Sequence, residues 1–153
     1  MTVDAENLLR LEHQVCFALN NATRAFGAIY RDALRDLNLT YPQYLAMMAL
    51  WEHGELTVKR LGELLRLDSG TLSPLLKRLE AAGLVVRERS PLDERSVLVS
   101  PTSAGTALRE RAALVPAEVA ARAGLDADEL RQLRGLLGRL TDRLDAADAP
   151  GKC

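Results

Sequence analysis

The sequence is short of the residue types that build metal or disulfide frameworks. Two cysteines, Cys16 and Cys153, stand near opposite ends of the 153-residue chain, too few to staple a small fold. Neither they nor the two histidines, His13 and His53, occur at metal-ligand spacing such as Cys-x-x-Cys, so no metal and no cofactor is expected. Aromatics make up only 4% of the chain, and Phe17, Phe26, Tyr30, Tyr41, Tyr44 and Trp51 all fall in its first third, so the remaining core must be aliphatic. No run of roughly 18 or more apolar residues occurs, and the N-terminus has neither the basic start nor the apolar stretch of a signal peptide. A cytoplasmic protein with no membrane partner is therefore expected. An excess of one charge is also missing: 20 basic against 21 acidic residues give a net charge of −1, which excludes a tail that coats a polyanion.

What is present suits one globular domain spanning 1–153. Apolar residues are 48% and charged residues 27% of the chain, enough to bury a sizeable core, and no linker or internal repeat divides it. Leu8, Leu11, Val15, Leu19, Ala22, Phe26, Ile29, Ala33 and Leu37 recur at spacings of three and four, which predicts one long amphipathic helix over 8–37. Thr40-Tyr41-Pro42 and His53-Gly54 bracket a helix at 42–53. Leu56-Thr57 opens a short helix with Val58, Leu61, Leu64 and Leu65 inward. A helix over 70–82 follows, with Pro74 near its first turn because deeper inside it would break a helical hydrogen bond.

Segments 84–89 and 96–100 flank a polar turn and read as a β-hairpin. Thr102 starts a helix to about residue 123, a last helix carries Leu130 to Leu144, and 147–153 reads as a flexible tail. The fold class is thus mainly α with a small β-hairpin wing. Three short helices followed by a hairpin, over 42–100, form the order of a winged helix-turn-helix, in which the helix after the turn enters the major groove of double-stranded DNA.

Charge placement agrees with groove docking. Residues 69–79 carry Lys77 and Arg78 with no acid, whereas 1–56 hold four basic against seven acidic residues. Ser69, Thr71 and Ser73 can bond phosphates or base edges at a helix N-terminus, or simply cap the helix. In the hairpin, Arg87, Arg89 and Arg95 surround Asp93. Arginine at a hairpin tip can enter a narrow minor groove, and Asp93 can hold its guanidinium; a solvated charged turn is the plainer alternative.

With Asp93-Glu94-Arg95 in the stretch Leu84 to Val99, the chain resembles the MarR family of dimeric winged-helix regulators. Two strings, Leu39-Thr40-Tyr41-Pro42-Gln43-Tyr44 and Leu67-Asp68-Ser69-Gly70-Thr71-Leu72-Ser73-Pro74-Leu75-Leu76-Lys77, are similar to its organic hydroperoxide resistance (OhrR) subgroup. The resemblance implies a DNA-binding repressor, not an enzyme. It further implies an intertwined homodimer built through 8–37 and 102–146, with two recognition helices in successive major grooves about 34–36 Å apart.

By position alone Cys16, next to Phe17 and beside the apolar stripe, reads as a small buried hydrophobe. The resemblance implies instead a cysteine that senses organic hydroperoxide, with Tyr30 and Tyr41 bonding to its thiolate. Cys16 and Tyr30 lie 14 residues apart, about 21 Å along one helix, so they can meet only across a dimer. Hydrogen bonds to the charged form favour the thiolate, the species that attacks peroxide. The sulfenic acid so formed can condense with Cys153 or with a small external thiol. His13, three residues before Cys16, can be read as the base of a Cys–His pair, and His53 as a partner of a helix C-terminus. Three other functions stay open: a regulator released by a small aromatic ligand, a thiol peroxidase, and a module that binds protein through its winged helix.

Overall fold

A computed structural model describes residues 5–149, with side chains from residue 7 onward. The chain divides into two compact units, Met1–Val115 and Pro116–Cys153. The first holds α1 (Ala5–Leu8), α2 (Val15–Ala33), α3 (Tyr41–His53), β1 (Leu56–Thr57), α4 (Val58–Leu65), α5 (Ser69–Ala81), β2 (Val85–Arg89), β3 (Val97–Pro101) and α6 (Ser103–Ala112). The second is formed by α7 (Val115–Ala123), which begins at the boundary, and α8 (Ala127–Asp148).

The winged-helix region forms where local signals agree. Thr40 accepts a bond from the Gln43 amide and its own amide donates to the Gln43 side chain, so a capping box starts α3. Thr57 caps α4 through the Arg60 amide, and α4 ends on Arg66 in the left-handed region (φ 55°). The turn to α5 is tight: a Cβ on Gly62 would lie 3.0 Å from the Leu67 carbonyl oxygen. The antiparallel sheet has the order β1-β3-β2, pairing Leu56 with Val99 and Arg89 with Val97. The hairpin expected over 84–100 is therefore present, joined by a strand at Leu56-Thr57 where a helix start was expected.

The core of this unit is almost wholly aliphatic, as the scarcity of aromatics requires. Leu34, Met47, Leu50, Leu61, Leu72, Leu76, Leu79, Val85 and Val99 are fully enclosed, and Tyr44 is the one buried aromatic among the described residues. Helix α6 is locked against this core at Gly105, where a Cβ would collide with the Leu84 carbonyl oxygen. Trp51 Nε1 donates to the Gly105 carbonyl at 2.9 Å, and the Thr102 hydroxyl donates to that of Gly83 at 2.6 Å.

Four expectations change. The single helix over 8–37 is divided: Arg10 and Gln14 are extended, a 3-10 turn spans Leu11–His13, and a second spans Arg35–Leu37. No proline or glycine causes the break at Gln14. The Gln14 side chain instead donates to the freed carbonyls of Leu8 and Arg10, and the His13 ring bonds that of Asn7. The helix over 102–123 is split between Ala112 and Val115, just before Pro116. The last helix continues through Asp148, into the expected tail. Finally, Pro74 is the sixth residue of α5 rather than in its first turn, leaving the Gly70 carbonyl without its helical N–H partner.

Candidate nucleic-acid interface and thiol site

Helix α5 divides cleanly by burial. Leu72, Leu75, Leu76 and Leu79 face the core, whereas Ser69, Thr71, Ser73, Lys77 and Arg78 are all exposed. Capping is supplied by Asp68, which accepts from the Thr71 amide at 2.8 Å. Bonds from the Thr71 amide and hydroxyl, and from the Gly70 amide, hold the Asp68 carboxyl below its usual range. Because Asp68 takes the cap, Ser69 and Ser73 are not needed for it. Among the described residues neither Lys77 nor Arg78 is in an ion pair, which leaves both free to meet phosphate.

The wing tip is organised by its own hydrogen bonds. Ser90 N–H donates to the Ser96 carbonyl at 2.8 Å and Ser96 N–H to that of Asp93 at 3.0 Å. The Asp93 carboxylate accepts from the Arg95 backbone amide at 3.0 Å and from the Ser96 hydroxyl at 3.4 Å. It therefore fixes the turn beneath Arg95 rather than the Arg95 guanidinium, whose side chain is exposed at the tip. Arg87 differs from the other expected DNA contacts, for its side chain is only 25% exposed and pairs with Glu80 at 3.2 Å.

The thiol sits elsewhere in this unit. Cys16 is the second residue of α2 and is exposed in the protomer, not buried as its position beside the stripe suggested. The break at Gln14 moves it from mid-helix to the first turn of α2. His13 lies on the other side of that break with its ring bonded to Asn7, so the Cys–His pair is not formed. Cys153 lies outside the described residues.

The two expected tyrosines do come together. The Tyr30 and Tyr41 ring centroids are 4.6 Å apart, with Tyr44 at 6.2 Å and Phe26 at 6.4 Å from Tyr30. Burial first, and Tyr41 second, push the Tyr30 hydroxyl above its usual value, so it stays protonated and able to donate at neutral pH. Cys16 and Tyr30 share the unbroken helix Val15–Ala33, about 21 Å apart by helical rise. Tyr44, which sequence reasoning passed over, was legible from its position three residues after Tyr41 on α3. Glu80 carried no such signal.

An exposed recognition helix beside an arginine-tipped wing defines a winged-helix DNA-binding protein. Residues 39–97 match the model of the MarR family. The sequence is 47% identical to an organic hydroperoxide resistance transcriptional regulator of Bacillus subtilis (strain 168), over 89% of this chain and 92% of that relative. Among solved structures, reduced AbfR bound to DNA superimposes with a TM-score of 0.81 at 31% identity, covering 96% of this chain and 100% of the other. The disulfide form of AbfR, a protein of Staphylococcus epidermidis, gives 0.62 at 33% identity, with 93% and 94% covered. The chain belongs to the MarR family and is a transcriptional regulator. No helix among the described residues is long and apolar enough to cross a membrane.

Proposed function

We propose that this regulator is a homodimeric repressor which holds an operator in duplex DNA and releases it when an organic hydroperoxide oxidises Cys16. The observation that carries the reading is the pairing of Tyr30 and Tyr41 at 4.6 Å, on helices that leave Cys16 exposed in the protomer. In the dimer, the phenols of one subunit donate to the thiolate of the other. The thiolate attacks the peroxide, a sulfur–oxygen bond forms as the oxygen–oxygen bond breaks, and the departing alkoxide takes a proton to leave as the alcohol. The sulfur loses two electrons and becomes a sulfenic acid, which a small thiol converts to a mixed disulfide with loss of water. The sulfur then no longer accepts the phenol hydrogen bonds as an anion, the dimer interface repacks, and the recognition helices leave their grooves.

On the DNA side, Ser69, Thr71 and Ser73 reach base edges and phosphates, Lys77 and Arg78 neutralise phosphates, and Arg95, on a turn held by Asp93, enters the minor groove. The likeness to an organic hydroperoxide resistance regulator, and to a regulator solved both reduced on DNA and as a disulfide, supports this reading. The test is a gel shift on the DNA upstream of the gene, with and without one equivalent of organic hydroperoxide, beside Cys16→Ser. Release of the wild type alone is expected. Retention of both proteins would overturn the sensor and favour a ligand bound by the ring cluster of Phe26, Tyr30, Tyr41 and Tyr44.

A further inference from the structure

Recognition helix and wing are joined by one contact that their charges alone would not suggest. Glu80 stands in the last turn of α5 and Arg87 at the centre of β2. Glu80 Oε1 accepts from the Arg87 guanidinium and Oε2 from the Arg87 backbone amide, each at 3.2 Å. Strand β2 is an edge of the sheet, and an edge strand presents amides that no neighbouring strand can bond. Glu80 supplies the acceptor for this one. The alternation along β2 puts Arg87 on the same face as the buried Val85 and opposite the exposed Val86 and Glu88. Its Nε is shielded from solvent with no acceptor among the described residues, and its head is turned to Glu80, whereas Lys77, Arg78 and Arg95 are exposed.

We propose that Glu80 and Arg87 form a strut that sets the angle between recognition helix and wing, so that Arg87 governs DNA affinity by position and not by contact with phosphate. The proposal rests on the DNA-binding reading above. The two roles predict opposite outcomes for Glu80. If Arg87 contacted phosphate, removing Glu80 would free the arginine, take an acid away from a polyanion and tighten binding. If the pair is a strut, removing either partner loosens the same joint.

The test uses Glu80→Ala, Arg87→Met, which keeps the apolar stem, and the double variant. Affinity for duplex DNA from upstream of the gene is measured by fluorescence anisotropy across a salt series, well below the unfolding temperature. A contact that merely stabilised the fold would leave affinity unchanged there. Each single variant is expected to bind about tenfold more weakly, and the double variant no more weakly than either, because one interaction is removed in all three. The slope of log K against log salt is expected to stay at its wild-type value, since no phosphate contact is lost. Unchanged or tighter binding by Glu80→Ala, a slope reduced by about one in Arg87→Met, or additive losses would overturn the proposal. Hydrogen exchange of the free protein reads the joint without DNA. The Arg87 amide is expected to be protected in the wild type and to lose that protection in Glu80→Ala; equal protection in both would overturn the strut. Normal exchange behaviour in a wild type that binds no DNA would instead overturn the DNA-binding reading, and with it the strut's role in affinity.

Discussion

The winged-helix region and the long helices solve the burial problem in opposite ways. From α3 to β3 the chain encloses its own apolar side chains, with Met47, Leu50, Leu61, Leu76 and Val99 wholly shielded. Helices α2 and α8, of 19 and 22 residues, carry comparable apolar stripes, yet neither has a single buried residue. Phe17 remains 42% and Leu136 56% exposed. Apolar area contributes to stability only when it leaves water, so the first region can hold its shape alone, while the stripes of the long helices call for a second surface. That is the division expected if DNA recognition is built within one subunit and sensing between two.

The contrast is tested most severely by removing core. Leu50→Ala is expected to cost about 2–5 kcal/mol at every protein concentration, read by urea unfolding. Leu136→Asp should instead act through assembly, and sedimentation should show dimer dissociation at concentrations where the wild type stays paired. If Leu136→Asp unfolded the protein as Leu50→Ala does, independent of concentration, the stripe would be core and not interface. Arg95→Ala comes next: about tenfold weaker DNA binding and a salt slope smaller by about one, with the rate of Cys16 oxidation by organic hydroperoxide unchanged.

A gentler probe is pH. Asp68 and Glu80 are both held below the usual carboxylate range, by the bonds from Thr71 and from Arg87 respectively. A carboxylate depressed by folding stabilises fully above its unfolded-state pKa, near 4 for these residues, and the contribution is lost as pH falls through the folded value. Urea midpoints are therefore expected to fall on acidification below that range, and less so in Asp68→Asn and Glu80→Ala; an unaltered acid profile in both would count against these contacts. The smallest effect is expected from Cys153→Ser, which should leave peroxide release intact when a small thiol traps the sulfenic acid. Loss of release in that variant would make Cys153 the resolving thiol.

Much of the fold was legible because local signals sufficed. Thr40, Pro42 and Gly54 bounded α3 to within a residue, and charge and hydroxyl placement singled out the exposed face of α5. Pro116 was a visible warning that the helix over 102–123 would not continue, because proline prefers a first turn. Other features had no local signal. A two-residue strand at Leu56-Thr57 exists only because β3 is there to pair with it. The break at Gln14 interrupts a perfectly periodic stripe, and it is held by side chains bonding carbonyls four and six residues back.

The sequence by itself determined the aliphatic core and the order of the helices and wing, since periodicity, capping and composition act over a few residues. Only tertiary structure decided that Tyr30 and Tyr41 meet and that Arg87 turns to Glu80. Those outcomes depend on which acceptor lies nearest once the chain has folded back on itself, and spacing along the sequence does not carry that distance.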